Sequence, residues 1–223
     1  MKIAALLKFS ILDYPGKISA VVFTQGCNLR CRYCHNKDFL DIAKPGEIEF
    51  SEVLSFLQSR KNQLEAVVFS GGEPLLQLDI VKSIATVKAM NFFVGLHTTG
   101  TIHEKFIEIL PLVDWIGFDI KEAFQKYENI TQICNSGNLV KQSLLALVNS
   151  NVCYEIRTTY DSRHMLPQNL VEIAETLEDI GIKNWIIQQC IIRNGQDVIY
   201  LNLPDSNTIA SIKKFINVEL RQE

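Results

Sequence analysis

The sequence predicts an α/β fold in which parallel strands alternate with helices, and three observations carry that reading. Short β-rich apolar runs alternate with amphipathic stretches along the chain, the pattern of βαβ units. The 223 residues are 47% hydrophobic and 21% charged, which suits one sizeable domain with its own core. No internal repeat or low-complexity linker interrupts the run, so residues 1–223 read as a single domain, with a core over about 18–203 and a C-terminal helix over about 208–218.

The elements follow in order. Residues 19–24 read as the first strand, and a polar, cysteine-bearing loop comes next. Ser51 is expected to cap a helix over 52 to about 61, with Val53, Leu54, Phe56 and Leu57 on one face. Residues 66–69 form a second strand that runs into Ser70-Gly71-Gly72. A helix over 79–90 turns Ile80, Ile84 and Val87 inward, and 92–96 is the third strand. Residues 102–110 are helical and are stopped by Pro111. Residues 115–120 are the fourth strand, 139–148 a helix, and 152–158 the fifth strand. A helix over 170–177 ends near Gly181, 185–188 is the sixth strand, and a last amphipathic helix covers 208–218. Six such strands form an open doubly wound sheet or an incomplete β/α barrel, and the pattern leaves both open.

Charge and hydropathy exclude some function classes. The net charge of −3 lacks the basic excess of a nucleic-acid binder. No apolar run reaches the roughly 18 residues needed to span a bilayer. The first seven residues are too short for the apolar region of a signal peptide. The expectation is a cytoplasmic protein with no membrane or nucleic-acid partner. Its six cysteines are then thiols, metal ligands or core residues rather than disulfides.

The central feature is Gly26-Cys27-Asn28-Leu29-Arg30-Cys31-Arg32-Tyr33-Cys34-His35-Asn36, directly after the first strand. The spacing C-x3-C-x2-C lets three thiolates converge on one centre, and soft thiolates select iron–sulfur clusters, zinc or copper(I). A four-iron cubane normally takes four cysteines. With three, one iron keeps an open position, which is where substrate chemistry happens. The competing reading is a zinc site of Cys27, Cys31, Cys34 and His35, in which adjacent Cys34 and His35 chelate one ion poorly. Cys134, Cys153 and Cys190 stand singly and read as small buried hydrophobes.

Further candidates lie where strands end. Ser70-Gly71-Gly72-Glu73-Pro74 offers two glycines, which permit unusual backbone angles and close approach, and a carboxylate at the functional end of a parallel fold. An ordinary turn is the plainer reading. His97 ends the third strand and competes with a structural role. Lys121, in Asp119-Ile120-Lys121, competes with an ordinary helix-start lysine. Arg157 sits in an otherwise apolar strand and needs a partner, either a ligand, Glu73, or a structural ion pair.

The cysteine loop after a first strand resembles the radical S-adenosylmethionine (SAM) superfamily. The resemblance implies an incomplete (β/α)6 TIM-like barrel, with Cys27, Cys31 and Cys34 as the catalytic metal ligands of a [4Fe–4S] cluster. SAM would chelate the fourth iron. Tyr33 holds the aromatic position before the third cysteine, implied to lie near the adenine. Gly71, Gly72 and Glu73 match the GGE motif, implied to hold the amino group of SAM. His97-Thr98-Thr99-Gly100 stands where related activating enzymes carry Asp-Thr-Asn-Gly, so His97 and Thr99 depart from the pattern at a SAM-binding position. Lys121 is implied to meet the SAM carboxylate, and Arg157 to face SAM. Gln188-Gln189-Cys190 stands where some relatives place a ribose-binding histidine.

Phe9-Ser10-Ile11-Leu12-Asp13-Tyr14-Pro15-Gly16-Lys17, taken with Cys34-His35-Asn36, resembles the activating proteins of anaerobic ribonucleoside-triphosphate reductase, a glycyl-radical enzyme. The likeness is close over 9 to about 76 and looser to about 203. No second cysteine-rich insert lies between Cys34 and Ser70, which argues against activators with extra ferredoxin-like clusters. The resemblance implies reductive cleavage of SAM to methionine and a 5′-deoxyadenosyl radical, which takes a hydrogen from a glycine of the reductase. A flavodoxin or ferredoxin would supply the electron. The 9–17 segment and the barrel mouth are expected to gate or dock the partner. The alternatives are a radical SAM enzyme acting on another protein or a small molecule, and a non-catalytic zinc- or cluster-bearing module. That last would have no use for Gly71, Gly72 and Glu73.

Overall fold

The computed structural model describes residues 1–194 and 197–222. In chain order its strands are β1 (Ile3–Ser10), β2 (Ser19–Thr24), β3 (Ala66–Gly71), β4 (Phe93–Thr98), β5 (Trp115–Asp119), β6 (Cys153–Tyr160), β7 (Asn184–Gln189), β8 (Ile191–Asn194), β9 (Asp197–Tyr200) and β10 (Asn217–Arg221). Its helices are α1 (Phe50–Ser59), α2 (Ile80–Ala89), α3 (His103–Ile109), α4 (Glu128–Thr131), α5 (Ser136–Val148), α6 (Pro167–Ile180) and α7 (Ser206–Ile212). One sheet runs in the order β1-β2-β3-β4-β5-β6-β7-β10, and β8 and β9 form a separate antiparallel pair.

Spatial order follows chain order from β1 to β7 with no reversal, and β2 to β7 are parallel. This decides the question the pattern leaves open: a doubly wound sheet reverses its strand order, whereas an incomplete barrel winds one way. Right-handed crossovers then bring the helices to one face. The main core lies there, with Val22, Phe69, Leu96, Phe118 and Ile156 meeting Leu57, Ile84, Phe106, Leu144 and Leu177. The next residue along each strand points the other way. The inner face carries a smaller apolar cluster of Tyr14, Val21, Ala66, Val68 and Trp115.

Several expectations change. The helix α1 starts two residues early, because Glu49 and Glu52 form a capping box in which Glu49 N–H donates to Glu52 Oε1 at 3.2 Å, and Ser51 lies inside the helix. The last helix is shorter than 208–218. It is capped by Asp205, which accepts from Thr208 N–H at 2.7 Å, and ends at Ile212. The chain then enters β10, parallel to β7, where Val218 and Leu220 alternate with polar residues at the strand period. The strand β1 is an unexpected edge, antiparallel to β2, and its two register shifts blur its alternation. Other boundaries fall within a few residues of expectation, and α6 ends on Gly181 at φ +90°. Cys190 is buried, but Cys134 and Cys153 are exposed, against the buried reading of all three. No helix among the described residues is long and apolar enough to cross a membrane.

The 9–17 segment also takes a place that differs from a gate. Ser10 pairs with Ser19 at the start of β2, whereas the cysteines follow its end. Tyr14 enters the sheet from that opposite end. Its ring lies 5.5 Å from that of Trp115, and its Cδ2 lies 3.0 Å from where a Cβ on Gly95 would stand. This turn is a floor beneath the site.

Candidate active site

The cysteine loop is held by backbone and side-chain bonds rather than by regular structure. Gly26 N–H donates to the Phe39 carbonyl at 2.7 Å and Cys27 N–H to that of Leu40 at 3.2 Å. Gln25 Nε2 donates to the carbonyls of Asp38 and Asp41, and Arg30 Nη1 donates to those of Cys27 and Leu29. Leu29 anchors the loop in the protein interior. Cys27 is buried, and Cys31 and Cys34 are half-buried.

All three thiols line one cavity of about 230 Å³. Tyr33, Gly71, Gly72, Glu73, His97 and Lys121 share its wall, so nine of the residues named from the sequence come together. Arg157 lies beside the cavity instead. Burial pushes the Cys27 thiol up to about 12, with Glu73 and the other two cysteines adding to it against the Leu29 N–H. Burial also raises Cys31, which Lys121 opposes. A positive centre between them would favour the thiolate forms of Cys27 and Cys31.

The donor set fits a multi-iron centre better than a single ion. Among the described residues no three His, Cys, Asp or Glu side chains stand close enough to hold one metal ion. Thiolates on one zinc lie within ~4 Å of each other. A cubane takes each cysteine on a different iron and spaces them wider. In the zinc alternative His35, whose Nε2 meets the Ile191 carbonyl, has only Nδ1 left to reach the ion, from the position next to Cys34.

The glycines are required by local packing. Gly71 has φ +108°, and a Cβ there would stand 2.4 Å from Thr24 N. A Cβ on Gly72 would stand 2.0 Å from the Gly26 carbonyl oxygen. Gly72 N–H donates to Thr24 and Glu73 N–H to Gly26, both at 2.9 Å. The glycine loop is thus laid directly on the base of the cysteine loop.

Two carboxylates in the site are stabilised differently. Glu73 is buried and accepts four bonds, all from neutral donors. Oε1 takes Thr98 Oγ1 at 2.6 Å and Leu75 N–H at 3.2 Å, and Oε2 takes Thr99 N–H at 2.9 Å and Thr99 Oγ1 at 2.6 Å. Burial still raises its pKa, with these donors offsetting part of the shift. Asp119 instead sits between two cations, with Arg157 Nε 2.9 Å from Oδ1 and Lys121 Nζ 3.2 Å from Oδ2. Burial opposes its charge, but the two cations hold its carboxyl well below the usual range. Arg157 therefore finds its partner in Asp119, its register neighbour on β5, and not in Glu73. Its guanidinium covers Gly117, where a Cβ would stand 2.6 Å from Nη2.

His97 is fixed at both nitrogens. Nε2 lies 3.0 Å from the Asp13 carbonyl and Nδ1 3.3 Å from Ser70 Oγ. The carbonyl can only accept, so Nε2 carries the proton and Nδ1 accepts from Ser70. Burial, then Arg157, lowers its pKa to about 4, so the ring is neutral at physiological pH. It joins the floor turn to the wall of the cavity. Tyr33 stands under Lys121, with Nζ 6.0 Å from its ring centre, and its buried hydroxyl has no partner among the described residues. Thr98 and Asp119 are not among the residues the sequence marks as candidates, and Thr99, marked there only as a departure from the family pattern, holds Glu73 through its N–H and its hydroxyl.

Comparison with known proteins agrees with this geometry. The model of the Radical SAM superfamily matches residues 21–150. The chain is 33% identical over 235 aligned residues, 98% of its length and 95% of the relative's, to a protein of Methanocaldococcus jannaschii named as a glycyl-radical enzyme activating enzyme. It is 36% identical over 127 residues to the pyruvate formate-lyase-activating enzyme of Clostridium pasteurianum, which covers 55% of this chain and 53% of that enzyme. Among solved structures, Streptococcus suis SuiB superposes with a TM-score of 0.64 at 12% identity, over 91% of this chain and 48% of that one. QueE from Escherichia coli superposes with a TM-score of 0.56 at 15% identity, over 99% and 93%. These two likenesses are of fold.

Proposed function

The chain belongs to the radical SAM superfamily, whose members use a [4Fe–4S] cluster and SAM, and from that premise we propose that it installs a glycyl radical on anaerobic ribonucleoside-triphosphate reductase. The observation that carries the activating reading is the three-cysteine cavity with Glu73 in its wall, in a chain that matches a named activating enzyme over nearly its whole length. The choice of the reductase rests on residues 9–17 and Cys34-His35-Asn36.

When bound, the cluster and SAM supply a reductive cleavage that leads to hydrogen abstraction from the partner's glycine. In this reading Cys27, Cys31 and Cys34 would hold the cluster. Glu73 accepts the SAM ammonium together with the loop of Gly71 and Gly72. The four donors on Glu73 are neutral, so its buried negative charge is complemented by a cationic ligand group. Gly72 and Glu73 N–H are engaged within the protein, which leaves acceptors for an ammonium. Lys121 and Tyr33, both in the cavity wall, would meet the SAM carboxylate and the adenine. Arg157 orients Asp119, and His97 supports the wall from below. A flavodoxin or ferredoxin donates the electron, and we place the enzyme in the cytoplasm, where thiols stay reduced.

Anaerobic reconstitution with iron and sulfide, reduction with dithionite, and addition of SAM tests the chemistry by release of 5′-deoxyadenosine. Mixing the loaded enzyme with the reductase, and separately with pyruvate formate-lyase, tests the target. A glycyl-radical EPR doublet on the reductase supports the proposal. A doublet on the lyase alone, or on neither, rejects the reductase as target.

A further inference from the structure

A chain of hydrogen bonds, part-buried at its first step and buried beyond it, crosses the site from the cysteine loop to the glycine loop. Asn28 lies between Cys27 and Cys31, and its Nδ2 donates to Thr101 Oγ1 at 3.0 Å. The hydroxyls of Thr101 and Thr99 are 3.2 Å apart. Thr99 Oγ1 meets Glu73 Oε2 at 2.6 Å. Glu73, Thr99 and Thr101 are all buried.

The carboxylate sets the direction of the chain. An ionised Glu73 only accepts, so Thr99 must donate to it. Thr99 oxygen is then free to accept from Thr101, and Thr101 from the amide of Asn28. Every proton points toward the anion, and each donation polarises the next bond. Asn28 spends its amide donor here although its Oδ1 stays buried without a partner, which is a cost.

We propose that Asn28 and Thr101 are positioning residues, which fix the cysteine loop relative to Glu73 and so set the distance between the cluster and the group that binds SAM's ammonium. The inference rests on the proposed SAM reading of the site. A ligand that chelates iron at one end and meets Glu73 nearby needs both held in register, and small misplacements weaken such two-point binding. The bond from Glu73 N–H to the Gly26 carbonyl joins the two loops at their base, ahead of the first cysteine. The chain adds a second tie further along the cysteine loop, because Asn28 lies between Cys27 and Cys31 and reaches Thr101, 73 residues away.

The test uses the reconstituted protein with its cluster oxidised, so that SAM binds and is not consumed. Iron content and SAM dissociation constant are measured for the wild type, Thr101→Val, Thr101→Ser, Asn28→Leu and the Asn28→Leu/Thr101→Val pair. Each single loss is expected to keep the wild-type iron content and to weaken SAM up to about tenfold, the size of one buried neutral hydrogen bond. Thr101→Ser keeps the hydroxyl and is expected to bind within about twofold of wild type. The pair is expected to be no weaker than its weaker member, since both break one chain. Wild-type affinity in Thr101→Val and Asn28→Leu overturns the proposal. So does a loss of iron from both that matches the loss of SAM, because the chain then holds the loop alone. If the wild-type protein itself carries its cluster and binds no SAM, the underlying reading fails, and that result is distinct from either.

Discussion

The face of the sheet turned to the helices carries Val22, Phe69, Leu96, Phe118 and Ile156, all buried in one apolar core. One residue further along each strand, the inner face carries Phe23, Ser70, His97, Asp119 and Arg157. The backbone is shared, and so are its hydrogen bonds. The outer face gains stability from area removed from water, at about 25 cal/mol per Å². The inner face has an apolar floor of Tyr14, Val68 and Trp115, and above it a layer of charges that are each matched by a specific partner. The difference teaches that a substitution on the outer face acts on folding, whereas one at the top of the inner face acts on binding, and that the matched charges between them act on both.

The sharpest way to break that comparison is Cys31→Ala. Cys31 is half-buried on a loop, so its loss is expected to leave the stability of the iron-free protein within about 0.5 kcal/mol. Formation of 5′-deoxyadenosine is expected to fall to background. A large drop in urea midpoint of the iron-free variant contradicts the division between the faces. On the outer face, Phe106→Ala removes a fully buried ring that lies edge-on to Phe118 at 5.7 Å. It is expected to cost about 3–5 kcal/mol in urea unfolding. SAM affinity of the folded, reconstituted protein should stay within about twofold, and a larger loss counts against the comparison.

Asp119→Asn sharpens it. The change leaves Arg157 and Lys121 without their shared carboxylate, and is expected to cost about 3 kcal/mol at neutral pH. The folded carboxyl titrates below its unfolded value of about 3.9. Its contribution is therefore present above about pH 4 and is lost as pH falls below that. Wild type and variant should differ in urea unfolding at pH 7 and converge as the pH drops under about 4. A difference that persists unchanged at pH 3 locates the effect in packing instead.

The parts legible in the sequence were those written locally. The cysteine loop is contiguous, and β2 to β7 announce themselves as short apolar runs separated by helices. The alternation alone does not choose between a one-way and a doubly wound sheet, because strand order is a property of pairing. The strand β10 is five residues at an edge directly after a short helix, where two apolar positions satisfy either period. That Arg157 needs a partner is legible, but its choice of Asp119 over Glu73 depends on the register of β5 against β6. The grip of Thr99 on Glu73 spans 26 residues, and the tie from Asn28 to Thr101 spans 73. Such bonds join residues that no local pattern links, which is why the sequence marks Glu73 and the cysteine loop but not Thr98, Thr101 and Asn28, which bond to them or between them.

The smallest expected effect tests whether the inner face is rigid at its base. His97 bonds Asp13 below and Ser70 beside it, with Trp115 edge-on at 5.5 Å and Arg157 and Asp119 as the charged groups nearby. Burial and Arg157 both favour the neutral ring, so its pKa falls from about 6.5 unfolded to about 4 folded. The lowered value means that His97 contributes its full stability above about pH 6.5. That contribution is lost as the pH falls toward 4. Between pH 6.5 and 8 nothing in the site should respond to this ring, and SAM affinity should be flat with respect to it. The ring-proton resonance of His97, followed by NMR in the iron-free protein, is expected to titrate near pH 4. A midpoint near 6.5 would mean that water reaches the ring and that the floor made by Tyr14 opens in solution.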